Sequence, residues 1–499
     1  MSSEQRDPEE LPAMSSGGKS TEENRLTEEK IRDMLKDPNS EKDMLDAFLN
    51  GIEAQESFPE TSPLASVRNS KIGTIIDSQD KLTEAEEMYQ PALAGKEKAL
   101  DPDHTPETLN NLGNLYRDQR RLKVAEEMYQ RALAGYKEAL GPDHICTLET
   151  MNNLGLLYSE QPKLKEAEEI FQRTLAGKVK SLGPDHMSTL KTVNNLGNLY
   201  RDQGRLQEAE EMYQRALAGY EKAPGPDHTS TLKIVNYLGL LYSDQGRLKE
   251  AEEMYQRALA GYIMALGLDH TSTLKTVNNL GLLYSDQGKL KEAEEMFQRA
   301  LAGYEKALGL DDISTLETVH NLGLLYSDQG KLKEAEEMFQ RALAGYEKAL
   351  GLEDISTLET LNNLGNLYRD QGRLKVAEAM YQRALAGYKE ALGPDHISTL
   401  ETMNNLGLLY SDQGKLKEAE AMFQRALMGK EKVLGLDHSS TLITVYNLGN
   451  LYRDQGKLKG AEEMYQRALA GYKEALGPDH QTTQGVLEQL NMLNITDRN

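Results

Sequence analysis

A Leu-Gly-x-Leu-Tyr core recurs along this chain with its glycine at Gly113, Gly155, Gly197, Gly239, Gly281, Gly323, Gly365, Gly407 and Gly449, and consecutive copies stand 42 residues apart every time. A fixed period of this size confines the chain to a stacked architecture. Each copy is one supersecondary unit that buries its apolar face only against its neighbours. A length of 499 residues would otherwise allow several domains, but one array can absorb nearly all of it.

The stretch from Met403 to Leu427 shows what each unit folds into. Met403, Leu406, Gly407 and Tyr410 fall at i, i+3, i+4 and i+7, the apolar stripe of an amphipathic helix. Ser398 and Glu401 have capping-box spacing ahead of it, as do Ser314 with Glu317 and Ser356 with Glu359. Gly414 stands where a left-handed residue ends the helix. The first three turns carry Asp80, Arg120 and Pro162 in place of that glycine, so those hairpins are expected to be less stable. A second helix from about Leu416 puts Leu416, Ala419, Phe423 and Ala426 on its buried side, and the two helices form an αα-hairpin. The second helices also carry a glycine, such as Gly135, Gly219, Gly303, Gly387 and Gly471. It costs about 1 kcal/mol against alanine, and its recurrence predicts close helix crossing.

The ends of the chain depart from the repeat. Residues 1–60 are polar and acidic, which predicts disorder apart from a short helix over 41–50. About ten repeats are expected over 62–480, the first degenerate and carrying Pro91 inside its second helix. A capping helix over 481–494 keeps Leu490 and Leu493 on a buried stripe, and 495–499 is read as a tail.

Charge and composition narrow the function. A net charge of -23 repels phosphate backbones and anionic membranes, which argues against nucleic acid and membrane partners. Neither a leader pattern nor a bilayer-length apolar run is apparent, so a soluble cytoplasmic chain is expected. Cys146, the single cysteine, replaces a serine of other copies and reads as a surface substitution. The Pro-Asp-His spacer supplies one imidazole per repeat, as at His144, His186 and His228. Adjacent hairpins lie about 8 to 10 Å apart, so these side chains do not converge on a metal, and a turn-and-cap role fits them better. Ala13 to Ser20, including Lys19, formally matches a phosphate loop, but no strand precedes it and no apolar helix follows. No nucleophile, base and orienter assemble, so no enzyme, cofactor or metal is expected.

Leu406, Gly407, Tyr410, Ala419, Phe423 and Ala426 follow an order similar to the tetratricopeptide pattern. The 42-residue unit, with its Asn-Asn-Leu-Gly, Gln-Gly-Lys/Arg, Glu-Ala-Glu and Gly-Pro-Asp-His elements, resembles the repeats of kinesin light chains and of fungal proteins with such repeats. The resemblance covers about residues 62–494 and implies an all-α, right-handed superhelical solenoid that binds proteins or peptides in a concave groove. Kinesin light chains also have a heptad segment, and the first 60 residues here show no sustained apolar heptads.

First-helix residues off the buried stripe are candidates for that groove. One set is Asn110, Asn152, Asn194, Asn236, Asn278, Asn362 and Asn404. A second pairs Asn114 with Arg117, Asn198 with Arg201, Asn366 with Arg369 and Asn450 with Arg453, where the remaining copies have Leu with Ser. Asparagine amides can satisfy an extended peptide backbone and arginine grips carboxylates, so an extended acidic peptide with apolar residues is the expected ligand. Two observations count the other way. An aspartate follows each arginine, as at Asp118 and Asp202, and residues 123–159 nearly recur at 375–411, so block duplication alone could create the alternation. The leading reading is an interaction scaffold, with a motor cargo adaptor and a nucleotide-switched protein using Lys19 as alternatives.

Overall fold

The computed structural model describes residues 105–161 and 163–496, together with helical positions between 86 and 94. The expected disordered segment 1–60, its helix over 41–50 and the Lys19 loop lie outside the described residues. The chain divides into two compact units, Met1–Arg205 and Leu206–Asn499. Among the described residues every regular element is a helix.

The first unit contains α1 (Thr105–Asp118), α2 (Leu122–Leu140), α3 (Ile145–Ser159), α4 (Leu164–Leu182) and α5 (Met187–Asp202). The second opens with α6 (Leu206–Lys222), α7 (Thr229–Asp244), α8 (Leu248–Leu266), α9 (Thr271–Asp286) and α10 (Leu290–Ala307). It continues with α11 (Ile313–Asp328), α12 (Leu332–Ala349), α13 (Ile355–Asp370), α14 (Leu374–Ala391) and α15 (Ile397–Asp412). It closes with α16 (Leu416–Leu434), α17 (Ser439–Asp454), α18 (Leu458–Leu476) and α19 (Gln481–Thr496). Within each unit an odd-numbered helix pairs with the even one after it as a hairpin, and that even helix packs on the next odd one. Consecutive odd helices, such as α9 and α11, also touch.

Two kinds of apolar cluster alternate along the stack. Inside a hairpin, Leu274 and Val277 of α9 pack on Ala300 and Tyr304 of α10. Between hairpins, Ala293 and Phe297 of α10 pack on Leu322 and Leu325 of α11. The repeat glycine makes the first contact possible. A Cβ on Gly281 would lie 2.7 Å from Phe297 Cε1, and one on Gly113 would lie 2.5 Å from the Tyr129 ring. The second-helix glycines work the same way, Gly471 against Leu442 at 2.6 Å and Gly135 against Pro106 at 2.7 Å. Close crossing, rather than a break in the helix, is therefore why glycine recurs there.

The caps differ from the capping boxes expected at Ser398, Ser314 and Ser356. Those serines are the second helical residue, and the N-cap is His396, Asp312 or Asp354, two positions earlier. The Ser314 amide donates to Asp312 Oδ1 at 2.8 Å and the Ser398 amide to His396 Nδ1 at 3.3 Å. The spacer histidines at 144, 186 and 228 cap in the same way, accepting from Cys146, Ser188 and Ser230. A threonine one residue on fastens the turn, as where Thr273 Oγ1 donates to the Gly267 carbonyl at 2.8 Å. At the other end Gly288 and Gly414 take φ of 72° and 73°, while Arg120 adopts φ 60° with a side chain that disfavours it.

A polar clasp closes each joint between hairpins. Glu294 of α10 accepts from Tyr326 at 3.3 Å, Gln329 at 3.1 Å and Lys331 at 3.0 Å, and Lys331 lies 5.0 Å from the centre of the Tyr326 ring. Gln329 also donates to the carbonyl of Leu290 at 3.2 Å. The same parts meet at Glu420, with Tyr452, Gln455 and Lys457. The Lys457 ammonium beside Glu420, helped by Gln455, holds that carboxyl below its ordinary value of 4.5. At Glu294 burial pushes the carboxyl up, and the bonds from Lys331 and Gln329 outweigh it.

The last helix runs to Thr496, two residues into the expected tail, and buries Val486, Leu490 and Leu493 on α17 and α18 residues such as Leu442, Tyr465 and Tyr472.

Three expectations follow from this packing. Gly281→Ala adds about 1 kcal/mol of helix propensity yet lowers stability by a net 1–3 kcal/mol or so, because a methyl must displace the Phe297 ring; a lowered urea midpoint is the readout. Arg120→Gly relieves the left-handed backbone and gains about 0.5–1 kcal/mol, seen as slower amide exchange over residues 105–140. The clasp glutamates titrate below 4.5 when folded, so their contribution is full above that pH and fades as pH falls through the lowered values. Glu294→Gln combined with Glu420→Gln should therefore lower Tm at pH 7 more than at pH 3.

Candidate functional site

Helix α9 shows what the packing leaves over. Thr271, Lys275, Leu282 and Asp286 are exposed and Asn278 and Ser285 half-buried, a stripe at steps of three and four residues. Leu274, Val277, Leu280, Gly281 and Leu283 occupy the buried sides. Because consecutive odd helices touch, these stripes lie side by side within each unit and form one face.

The first set of asparagines is placed deep on that face. Asn152 is fully buried, Asn194, Asn236 and Asn404 are buried, and Asn110, Asn278 and Asn362 are half-buried. All but one of their carbonyls serve the stack, the exception being the buried Asn194 Oδ1, which has no hydrogen-bond partner among the described residues. Asn153 donates to Asn110 at 3.2 Å, Asn195 to Asn152 at 3.1 Å, Asn279 to Asn236 at 3.4 Å and Asn321 to Asn278 at 3.4 Å. Asn405 donates to Asn362 at 3.3 Å and Asn447 to Asn404 at 3.2 Å. The signal in the sequence was the Asn-Asn doublet itself, whose first member accepts from the second member of the next copy.

His320 takes one place in this ladder. Its Nε2 lies 3.2 Å from Asn363 Nδ2, which can only donate, so Nδ1 carries the proton toward Thr360 Oγ1 at 2.9 Å. Burial lowers its pKa to about 4, and the ring is neutral at pH 7.

The second set has partners inside the hairpin. The Tyr129, Tyr381 and Tyr465 hydroxyls donate to Asn114, Asn366 and Asn450 at 2.7, 2.6 and 2.7 Å. In the sequence every such asparagine, Asn198 included, is followed fifteen residues on by tyrosine, whereas Leu156, Leu282, Leu324 and Leu408 are followed there by phenylalanine. Leu240, followed by Tyr255, breaks the pattern. A buried hydroxyl needs an acceptor, so the Asn/Leu choice follows the ring opposite.

The arginines remain at the surface, each beside carboxylates. Arg117 pairs with Asp118 at 3.0 Å and reaches Glu160 at 3.8 Å, and Arg369 is 3.4 Å from Asp370 and 3.8 Å from Asp412. Arg201 is 3.8 Å from Asp202. Arg453 pairs with Asp454 at 3.0 Å and donates to Gln489 at 2.7 Å. Burial pushes the Glu160, Asp202 and Asp412 carboxyls upward, and the neighbouring arginine pulls each back.

A different cationic spot was not anticipated. Lys233, Asn236, Tyr237, Tyr262, Ser272, Lys275 and Thr276 line a cleft of about 250 Å³ between α7 and α9, with α8 behind. Among the described residues no group of three or more His, Cys, Asp or Glu side chains could hold a metal, and no helix is long and apolar enough to cross a membrane.

Comparison with known proteins matches this architecture. No curated protein matches the chain. Among solved structures, a Podosopora anserina kinesin light chain of nearly identical TPR-like repeats is 25% identical at a TM-score of 0.37, covering 41% of this chain and 97% of that one. BtubC from P. vanneervenii is 22% identical at 0.39, covering 47% of this chain and 91% of that one. The apo form of the quorum sensor NprR from B. thuringiensis is 16% identical at 0.50 and covers 72% of this chain and 99% of that one, a likeness of fold alone. Tetratricopeptide repeat models match residues 64–138, 105–178, 163–222, 188–264, 265–348 and 356–432, and a second such model matches 441–482. These matches span most of the sequence, and the chain belongs to the tetratricopeptide repeat family.

Proposed function

We propose that the chain is a non-catalytic interaction scaffold whose odd-helix face holds an extended peptide of a partner protein. One observation carries this reading. Each described first helix spends its other sides on packing and leaves a stripe whose charge changes from copy to copy, Lys275 in one and Glu359 in another. Folding alone gives no reason for a row of outward side chains to vary between glutamate and lysine. Acidic residues of the partner find cations in Arg117, Arg201, Arg369 and Arg453, whose side chains are 20%, 27%, 23% and 40% exposed. Each would exchange its aspartate for the incoming carboxylate, which favours modest affinity and fast release. Apolar residues of the partner find Leu282, which is 37% exposed, and the leucines beside it.

Photo-crosslinking tests the face directly. A benzophenone side chain at Leu282 should cross-link a partner from host lysate, whereas one at Glu295, exposed on the second helix, should not. Equal yield from the two positions sinks the reading. Changing Arg117, Arg201, Arg369 and Arg453 together to glutamate should reduce capture about ten-fold with helicity unchanged, and undiminished capture would remove the arginines from the site.

A further inference from the structure

We infer that the odd-helix face of the second unit takes a segment with opposite charge at its two ends, acidic at Lys233 and Lys275 and basic at Glu317, Glu359 and Glu401. The inference rests on the interaction-face reading above and adds the order of charges in the partner. Six residues before the repeat glycine, helices α7, α9, α11, α13 and α15 carry Lys233, Lys275, Glu317, Glu359 and Glu401, all exposed. Since each of these helices touches the next, the five side chains run in that order along the face. Steps on the order of 10 Å make the row about 40 Å long, the span of roughly twelve extended residues.

The cationic end has the features of a carboxylate site. Lys233 and Lys275 share a cleft of about 250 Å³ with the Tyr237 and Tyr262 rings, the Ser272 and Thr276 hydroxyls and Asn236. That volume admits one acidic side chain and surrounds it with donors. Lys233 lies 5.8 Å from the centre of the Tyr237 ring, and among the described residues neither lysine has a carboxylate within ion-pairing distance. At the anionic end Glu317 feels the Lys275 charge beside it and Glu401 accepts from Ser440 Oγ at 3.4 Å, yet none of the three glutamates is in an ion pair among the described residues. Burial among neighbours pushes the Glu317 and Glu359 carboxyls upward, and an incoming ammonium or guanidinium would relieve that. Ile313 and Ile355, 40% and 49% exposed, border those glutamates and give the basic half of the segment apolar contacts.

Complementarity then selects against uniform charge. A wholly acidic segment that reached across the face would set carboxylates on Glu317 and Glu359, and a wholly basic one would set cations on Lys233 and Lys275. A segment whose charge changes sign along its length meets a complementary group at each end.

The test uses the full chain and fluorescein-labelled sixteen-residue synthetic peptides read by fluorescence polarisation. One peptide has four glutamates, an apolar centre and four lysines; a second has the reverse order; two more carry only glutamate or only lysine at the charged positions. At low salt at least one bipolar peptide should bind about ten-fold or more tighter than either uniform one. Lys233→Glu with Lys275→Glu should erase that advantage, as should Glu317→Lys with Glu359→Lys and Glu401→Lys. All five substitutions together should restore it for the peptide of opposite order, which no general loss of structure could do. A uniform peptide binding as tightly as both bipolar ones, or no restoration in the five-fold variant, overturns the inference. Should the all-acidic peptide win and cross-link from position 282, the face reading stands and only the charge order fails. A bipolar peptide that binds but cross-links only from position 295 overturns both.

Discussion

Phe297 rests against the backbone of Gly281, and the rest of the stack depends on that approach. The ring occupies the space a Cβ would need, 2.7 Å away, so the two helices of a hairpin cross as closely as their backbones allow. Gly303 repeats the arrangement with Leu274 from the other side. A glycine costs about 1 kcal/mol in helix propensity, and burying a phenylalanine returns about 1.5–3 kcal/mol. The exchange is favourable only if the ring lands on the glycine. Every hairpin therefore adopts the same crossing, and hairpins of equal shape stack with their first helices adjacent.

Stacking of equal hairpins needs a joint that fixes their register, and apolar contact alone is a weak guide to it. Phe297 against Leu322 and Leu325 could slide. The clasp at Glu294 cannot, because one carboxylate accepts from a tyrosine, a glutamine and a lysine that come from the first helix and turn of the next hairpin. This is why Gln-Gly-Lys/Arg recurs as a unit. Glutamine and the basic residue reach back to the same carboxylate, and the glycine between them turns the chain at a φ of about 71° so that both can. With packing on two sides and the clasp at one end, the outward stripe of each first helix keeps exposed side chains such as Lys275 and Leu282 beside the asparagines that bond the stack.

The period, the two helices of each unit and the glycine-mediated crossing were legible in the sequence because each follows from spacing within one copy. What escaped was set by partners in another copy or by competition within a turn. Asn153 bonds Asn110 and Asn447 bonds Asn404 across 43 residues, so a doublet read locally passes for two surface amides. The capping box at Ser314 and Glu317 satisfies the spacing rule, yet Asp312 sits at the extended position where the helix begins and takes the Ser314 amide first. That displacement matters for function. A glutamate occupied with its own helix start would be unavailable to a partner, whereas Glu317 points its charge outward.

Whether a carboxylate at this position reaches the face depends on what lies beneath it, and the two copies related by six repeats show how. Tyr136, Tyr304 and Tyr346 fill a buried site that Lys178 and Lys430 fill in those copies, at 0% and 2% exposure. Lys178 reaches Glu149 at 3.0 Å, and Ser188 bonds the same carboxylate, so the glutamate is drawn inward. Lys430 instead bonds the Ser440 carbonyl at 3.3 Å and Thr444 Oγ1 at 3.2 Å, so Glu401 keeps only a long bond from Ser440 Oγ at 3.4 Å and stays exposed. Both ammoniums have pKa values lowered by burial, the expected consequence of a cation in a tyrosine's place. The same lysine and the same glutamate stand in both copies. Ion pairing then withdrew one negative charge from the first unit's face, and local hydrogen bonding left its counterpart on the second. Charge order along such a face is therefore a property of packed side chains, and reading it requires knowing which carboxylates the interior has already claimed.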